Sequence, residues 1–291
     1  TPIEFSAGQV VLAAGATGIT PHVPSIRGSD RWSGQIIHSQ NYVNAEPFVG
    51  KRVLVVGTGN SAIEILCDLH DHGARPSLLA RSSNSWVTRE GFANYHRLLA
   101  RGTTILKYVP FAWLLAPVVL RALDHYLMID VKRRYGDLTE IGIATDPSPP
   151  MLRMAKTRGA KAPSYIDGTW GDVGVSIINL IRHGDVPLYQ AEIEHLEPNQ
   201  RTVTFTDGDT AVFDTVLLCT GFEPVVTHYG SFLDAKIMGS LTQKGLQPWS
   251  EIPGQSGLWP ALGGIATSRY ALQILAARVA AKIQNTPPPA R

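Results

Sequence analysis

Charged residues are scarce in this chain, and no block of like charges concentrates the few that are present. Asp, Glu, Lys and Arg make up 17% of the 291 residues, and the formal net charge is only +2. Proteins that bind nucleic acid usually carry a basic patch or stripe, so this class has little support here. A hydrophobic fraction of 44% is typical of a folded globular protein, and the length is sufficient for two domains.

Cysteine is nearly absent. The chain has two, Cys67 and Cys219, and their wide separation matches neither metal-binding nor redox-active spacing. A dithiol reductase would need a paired motif such as C-x-x-C, and the absence of such a motif argues against that class. The histidines show no ligand spacing either, so no metal site is predicted. We expect both cysteines to be small buried hydrophobic residues in a reducing, cytoplasmic compartment.

Long uninterrupted apolar runs are also missing. The most apolar region, Phe111 to Met128, contains Pro117, Arg121, Asp124 and His125, and these interruptions argue against a membrane-spanning helix. We predict a buried helix pair or a cover over a substrate channel. Peripheral contact with a membrane is the alternative that the sequence leaves open.

The most informative stretch present is a glycine fingerprint between an apolar run and a helical pattern. Val53 to Val56 predicts a buried strand, and Gly57-x-Gly59-x-x-Ala62 follows it directly. In a dinucleotide-binding fold the first glycine allows the tight turn, and the second lets the backbone approach a pyrophosphate. The small third residue lets the helix pack on the strand. The helix N-terminus then offers free N–H groups to the phosphates.

The residues after the next predicted strand favour NADP(H) over NAD(H). That strand, Pro76 to Ala80, ends in Arg81-Ser82-Ser83. An NAD site normally places Asp or Glu here to accept hydrogen bonds from the ribose hydroxyls. An arginine flanked by hydroxyl groups suits a 2′-phosphate instead, although Arg81 could also be a solvated strand end.

Two further strands end in glycine on either side of this unit. Val10 to Leu12 runs into Gly15, and Asp214 to Leu218 runs into Gly221. This bracketing predicts that one domain is inserted into another. Since a complete domain rarely begins on a buried strand, we also expect residues upstream of Thr1.

Several motifs together resemble the flavin-containing monooxygenases, in particular the plant YUCCA-type and bacterial members. The stretch from Gly57 to Glu64 resembles the family's NADPH motif G-x-G-N-S-G-x-E, with Ala62 at the third glycine. The stretch from Trp32 to His38 resembles the F-x-G-x-x-x-H identifying sequence, with Trp in place of Phe. Three shorter matches occur at Arg81-Ser82-Ser83, at Lys161-Ala162-Pro163 with Asp167-Gly168-Thr169, and at Leu217-Leu218-Cys219-Thr220-Gly221-Phe222.

The resemblance implies an α/β fold with two dinucleotide-binding, Rossmann-like domains. The NADPH domain, residues 46–222, would be inserted into an FAD domain whose N-terminal half lies before Thr1. Residues 1–45 would be the remnant of that FAD domain and its linker, and residues 223–291 would return to it. Only the second of the family's two glycine fingerprints occurs in this sequence.

The resemblance also implies the cofactors NADPH and FAD and a set of binding residues. Catalytic residues are not predicted; His38 is expected to be a structural hydrogen-bonding residue, and Gly263 and Gly264 are expected either to approach the flavin or to form a plain strand-to-helix turn. The predicted cofactor-binding residues are Gly57, Thr58, Gly59, Asn60 and Ser61 for the pyrophosphate, Arg81, Ser82 and Ser83 for the 2′-phosphate, and Cys219, Thr220 and Gly221 at a hinge between domains.

The implied activity is that of an NADPH-dependent flavoprotein monooxygenase acting on a small organic substrate. In such enzymes one oxygen atom from O₂ is transferred through a flavin hydroperoxide. Two alternatives stay open: a nicotinamide dehydrogenase without flavin, and a non-catalytic NADP(H)-binding remnant or scaffold. The sequence does not predict the substrate or the oligomeric state.

Overall fold

A computed structural model describes residues 6–13, 17–81, 85–106, 112–143, 164–166, 176–224, 229–230, 233–242, 250–261 and 265–287. The chain divides into two compact units. The larger is the continuous segment Val23–Thr220, and the smaller combines Thr1–His22 with Gly221–Arg291. The larger unit contains the glycine fingerprint and the strands around it.

Within the described residues the structure has strands, helices and short 3-10 turns in mixed α/β order. The strands are β1 (Val10–Leu12), β2 (Thr17–Pro21), β3 (Gln35–His38), β4 (Arg52–Val56), β5 (Arg75–Leu79), β6 (Trp86–Val87), β7 (Ser164–Tyr165), β8 (Leu188–Tyr189), β9 (Ile193–Leu196), β10 (Thr202–Phe205), β11 (Thr210–Val212), β12 (Thr215–Leu218), β13 (Phe222–Pro224) and β14 (Leu258–Pro260). The α-helices are α1 (Asn60–Asp71), α2 (Arg89–Leu106), α3 (Ala112–Tyr135), α4 (Ile177–His183), α5 (Ala235–Thr242) and α6 (Ile265–Ile283). The 3-10 turns are Ser39–Asn41, Glu46–Phe48 and Leu138–Ile141.

The larger unit is built on a five-stranded parallel sheet in the order β3-β12-β4-β5-β8. From the β8 edge inward, the order is that of a dinucleotide-binding sheet, with β4 as the first strand, β5 as the second and β12 as the fourth. The strand order reverses between β4 and β12. In open α/β sheets, ligands bind outside the carboxyl ends of the strands at this reversal.

Burial explains why β4 and α1 form where the sequence predicts them. Val53, Leu54 and Val55 in the centre of β4 have 0% exposure, as expected for a strand covered on both faces. The apolar face of α1 packs in one core with Val53 and Val55, and Ala62 and Leu66 on this face are also fully buried. The strand–turn–helix prediction is therefore confirmed.

Between β8 and β12, the chain forms a separate antiparallel sheet in the order β11-β10-β9. Strands β10 and β11 form a hairpin, with Thr202 paired to Val212 and Thr204 to Thr210. Phe205 stacks on Tyr189 with ring centroids 4.6 Å apart. Phe205 lies in a second core with Leu54 and Val216, on the other face of the parallel sheet from α1.

Asp214 joins the starts of β4 and β12. Its carboxylate accepts hydrogen bonds from the Arg52 backbone N–H (2.9 Å) and from the Arg52 Nε (3.1 Å). Arg201 donates to the same carboxylate at 2.6 Å. Hydrogen bonds from Arg52 hold the pKa of Asp214 well below its usual range.

We expect Asp214→Asn to lower the free energy of unfolding at neutral pH by about 1–3 kcal/mol, because charge-assisted hydrogen bonds are lost. A depressed folded-state pKa stabilises the fold above the unfolded pKa of about 4, and this contribution is lost as pH falls toward the lower folded value. Urea denaturation of both proteins along a pH series checks this. The wild-type advantage should be full at neutral pH and shrink in acid; an advantage that does not depend on pH would contradict the assignment.

Most of the apolar region lies in helix α3, which packs against α2. The prediction of helical structure in this region is confirmed, but as one continuous helix, Ala112–Tyr135, rather than as a pair of helices within the region. Leu127 is buried against Tyr95 and Val87, whereas Val118 is 64% exposed. Among the described residues, no helix is both long enough and apolar enough to cross a membrane. Helix α2 was not predicted from the sequence.

In its described residues, the smaller unit has two short sheets and two helices. Strands β1 and β14 pair in parallel, with Val10 opposite Leu258, and β2 and β13 pair antiparallel. Strand β14 ends at Pro260, and helix α6 begins at Ile265. Gly263 and Gly264 lie outside the described residues.

Candidate coenzyme site

The glycine turn lies at the carboxyl end of β4, where the strand order reverses. Gly57 has a φ of +120°, and a Cβ atom built there would lie 2.7 Å from the backbone oxygen of Cys219. The turn is fixed by hydrogen bonds to both neighbouring strand ends, from Gly57 N–H to Leu79 O (3.0 Å) and from Cys219 N–H to Val56 O (2.9 Å). Glycine is therefore required at this position by both the backbone conformation and the space available.

The residues after Gly57 present an open helix N-terminus. Gly59 is the N-cap of α1, no side chain caps the helix there, and the first turn contains no acidic residue. A Cβ atom at Gly59 would have nothing within 4 Å, and Asn60 and Ser61 are exposed. In the described part of the chain, no backbone hydrogen bond uses the N–H groups of Gly59, Asn60 or Ser61. Such a helix end fits a pyrophosphate, because the macrodipole and the amide donors both favour an anion.

Two of the predicted residues also contact a segment that sequence reasoning missed. The Ser164 hydroxyl donates to the backbone oxygen of Thr58 at 2.6 Å. The Tyr165 backbone N–H donates to Oδ1 of Asn60 at 2.9 Å. The sequence feature that could have indicated this segment is the pair of family motifs at residues 161–163 and 167–169, which flank it. Both motifs lie outside the described residues.

Arg81 lies directly beyond the carboxyl end of β5, as the sequence predicts for a group that faces the adenosine ribose. Its side chain is 69% exposed, and its Nε lies 3.9 Å from Oε1 of Glu192. An exposed pair at this distance is weak and leaves the guanidinium able to bind a phosphate. Ser82 and Ser83 lie outside the described residues.

Cys219 and Thr220 follow β12, so the structure brings them to the same edge as the glycine turn. The boundary between the two units falls between Thr220 and Gly221. Burial raises the pKa of the Cys219 thiol to about 12, although a hydrogen bond with Ser39 acts in the opposite direction. Cys67 has 0% exposure, whereas Cys219 is only partly buried, so the prediction of a buried residue is confirmed for Cys67 alone.

We expect the native protein to react very slowly with thiol reagents at pH 8. The thiolate is the reactive form, and the raised pKa of Cys219 disfavours it there, while Cys67 is fully buried and out of reach of the reagent. Titration with a chromogenic disulfide should release much less than one equivalent before unfolding and two equivalents in guanidinium, one for each cysteine. Rapid labelling of Cys219 in the folded protein would contradict the raised pKa.

His38 has the structural role that was expected. It is buried, with 5% exposure, and its Nδ1 accepts a hydrogen bond from the Gln40 backbone N–H at 3.1 Å. This contact caps the 3-10 turn Ser39–Asn41. His38 therefore stabilises the connection between β3 and β4.

A small pocket opens beside the glycine turn at the carboxyl ends of β4, β5 and β8. Thr58 from the turn, Ala80 after β5 and Gln190 after β8 contribute to its lining. Trp86 lines it as well and is 7% exposed. The rest of the lining is apolar and consists of Leu78, Ile143 and Leu188.

Comparison with known proteins agrees with the family resemblance. The sequence model of the flavin-binding monooxygenase-like family matches residues 6–126. A probable indole-3-pyruvate monooxygenase of Arabidopsis thaliana, YUCCA10, is 31% identical over 220 residues, which are 76% of this chain and 50% of that protein. Rice YUCCA1 (Oryza sativa subsp. japonica), an indole-3-pyruvate monooxygenase, is 28% identical over 290 residues, covering 94% of this chain and 63% of that protein.

The chain is a member of the flavin-containing monooxygenase family. It spans about half the length of the curated relatives that it matches first. Among solved structures, an oxidised steroid monooxygenase bound to NADP superimposes with a TM-score of 0.60 at 16% identity, covering 95% of this chain and 60% of that one. At this identity the likeness concerns the fold, and it agrees with the Rossmann-type order of the parallel sheet.

Proposed function

We propose that this chain supplies the NADPH-binding part of an FAD-dependent monooxygenase that inserts one oxygen atom from O₂ into a small organic substrate. The observation that carries the proposal is the glycine turn at the reversal of strand order, where a Cβ at Gly57 would meet the Cys219 backbone oxygen at 2.7 Å. This is the position at which an α/β sheet of this order binds a dinucleotide. Its relatives are named as monooxygenases, which supports oxygen transfer as the class of reaction.

Gly59, Asn60 and Ser61 would hold the pyrophosphate of NADPH. They form the exposed N-terminus of α1, where a Cβ atom at Gly59 would have nothing within 4 Å. Arg81, one strand away, would bind the 2′-phosphate, together with Ser82 and Ser83. A guanidinium binds phosphate with two parallel hydrogen bonds, which favours NADPH over NADH.

FAD, when bound, supplies the electron transfer and the activation of oxygen. We assign residues 46–222 to the NADPH domain and residues 1–45 and 223–291 to the FAD domain. The compact unit Val23–Thr220, which contains the whole parallel sheet, supports this division in outline. The backbone at Cys219, Thr220 and Gly221 would pass close to cofactor where one domain gives way to the other.

The test uses the full natural polypeptide, purified without added cofactor. We expect a yellow protein with flavin absorbance that oxidises NADPH faster than NADH and consumes O₂ as it does so. A colourless protein that binds NADP⁺ would instead favour a non-catalytic NADP(H)-binding role. Anaerobic hydride transfer to a substrate without flavin would favour a simple dehydrogenase.

A further inference from the structure

The segment Ser164–Ile166 contacts the glycine turn through two hydrogen bonds of different kinds. Ser164 donates from its hydroxyl to the Thr58 backbone oxygen, and Tyr165 donates from its backbone to the Asn60 side chain. Ser164 is 2% exposed, so this hydroxyl is held in one place. The first contact falls on Thr58, whose carbonyl belongs to the same peptide as the Gly59 N–H, and the second falls on Asn60. The proposed function places Gly59 and Asn60 at the pyrophosphate.

The first contact fixes the direction of a backbone N–H group. A trans peptide is planar, so its C=O and N–H point in opposite directions. With the Thr58 carbonyl directed at Ser164, the N–H of Gly59 is directed away from Ser164. That N–H makes no backbone hydrogen bond to any described residue, and Gly59 itself is exposed.

The second contact orients the Asn60 amide in the same way. Because the Tyr165 N–H is a donor, the Asn60 oxygen must face it, and the two N–H bonds of Nδ2 then lie on the other side of the amide group. The Asn60 donors therefore point away from Tyr165, beside the exposed first turn of α1. Together, Gly59 N–H and Asn60 Nδ2 form a pair of aimed donors.

Ser164 and Tyr165 are themselves held firmly by their neighbours. Strand β7 pairs in parallel with β6, with hydrogen bonds from Ser164 N–H to Ser85 O (2.9 Å) and from Ile166 N–H to Val87 O (3.0 Å). The guanidinium of Arg89 lies 4.4 Å from the centre of the Tyr165 ring, and Arg89 also forms an ion pair with Glu64 on α1. We call this β6–β7 pair the ribbon.

We propose that the ribbon is a positioning element, in which Ser164 and Tyr165 aim the Gly59 N–H and the Asn60 amide at the coenzyme pyrophosphate. The inference rests on the proposed function, since it concerns the same site. It adds Ser164 as a positioning residue, although this serine would touch only the turn. Trp86, which lines the pocket beside the turn, lies opposite Ser164 in the ribbon.

Calorimetric binding of two probes to the full chain tests the role of Ser164. NADP⁺ carries the pyrophosphate, whereas adenosine 2′,5′-bisphosphate carries the 2′-phosphate without it. In Ser164→Ala we expect NADP⁺ to bind about tenfold more weakly, equivalent to about 1.4 kcal/mol, while the bisphosphate binds within about twofold of wild type because Arg81 is untouched.

The control is Ser176→Ala, which removes another buried serine hydroxyl. Ser176 is also 2% exposed, and its Oγ accepts from Ile178 N–H at the start of α4. This variant should lose stability while it keeps wild-type affinity for both probes. Equal losses for both probes in Ser164→Ala, or no loss for either, would overturn the inference. A wild-type protein that binds neither probe would instead refute the proposed function.

A second variant, Asn60→Asp, distinguishes an effect on NADP⁺ binding from an effect on the stability of the fold. It keeps the oxygen that accepts from Tyr165 but replaces the donor with a negative charge. We expect unchanged or higher thermal stability, since an acid at a helix N-terminus is favourable, together with at least about tenfold weaker NADP⁺ binding. Retained NADP⁺ affinity in this variant would show that the Asn60 amide is not aimed at the coenzyme.

Discussion

Gly57→Ala is expected to lose both coenzyme binding and a large part of the stability of the protein. Its φ of +120° is rarely adopted by residues with a side chain, and the new Cβ would lie 2.7 Å from the Cys219 backbone oxygen. Backbone strain of this kind costs roughly 1–3 kcal/mol, and the close contact adds to it. We expect a total loss of about 2–4 kcal/mol in the free energy of unfolding.

The affinity for NADP⁺ should fall by about a hundredfold or more, because moving the turn displaces the helix N-terminus that binds the phosphates. Urea denaturation and calorimetric titration with NADP⁺ measure the two effects separately. A Gly57→Ala protein with wild-type stability and affinity would show that the turn is not built as described.

Two other glycines supply matched controls. Gly73 has a φ of +78° but open space around its Cβ position, so Gly73→Ala isolates backbone strain from the close contact. Gly59 has a φ of −75° as the N-cap of α1, and its Cβ position is also open. Gly59→Ala should therefore fold normally and lose NADP⁺ affinity only, since the methyl group would occupy the space proposed for the pyrophosphate.

Arg81→Ala is expected to remove most of the preference for NADPH over NADH. A bidentate bond between guanidinium and phosphate contributes roughly 1.5–3 kcal/mol, so the ratio of the two affinities should fall by about tenfold to a hundredfold. NADH affinity should hardly change, because it carries no 2′-phosphate. Parallel titrations of NADPH and NADH at fixed ionic strength measure the ratio.

The control for Arg81 is Arg75→Ala. Arg75 is an exposed arginine at the other end of the same strand, β5, so its removal changes the net charge equally but leaves the carboxyl edge intact. The preference should survive in this variant. If both variants lose it to the same extent, long-range charge rather than a specific phosphate contact determines coenzyme choice.

How well each part of the site could be predicted depends on how far apart in the chain its interacting residues lie. Periodicity and turn residues are local, and they located β4, α1, β5 and β12 to within a residue or two. They also placed Arg81 correctly at the end of β5. Helix α2 was missed.

The ribbon could not be predicted from local sequence patterns, because it forms only through tertiary contacts. Strand β6 has two residues and β7 has two, and their pairing joins segments about eighty residues apart. A two-residue strand has no measurable periodicity, so its existence depends on tertiary contacts. Ser164 looked ordinary because nothing in its neighbours indicated that Thr58 would be its hydrogen-bond acceptor.

The sequence by itself determined the family resemblance, the glycine turn and the arginine after β5, because each depends on residues close together in the chain. Only the tertiary structure decided that the Cys219 backbone excludes a side chain at Gly57. It alone also brought Ser164 and Tyr165 onto Thr58 and Asn60. Parallel strands place distant residues at one edge of a sheet, and that juxtaposition is a property of the folded chain rather than of any local segment.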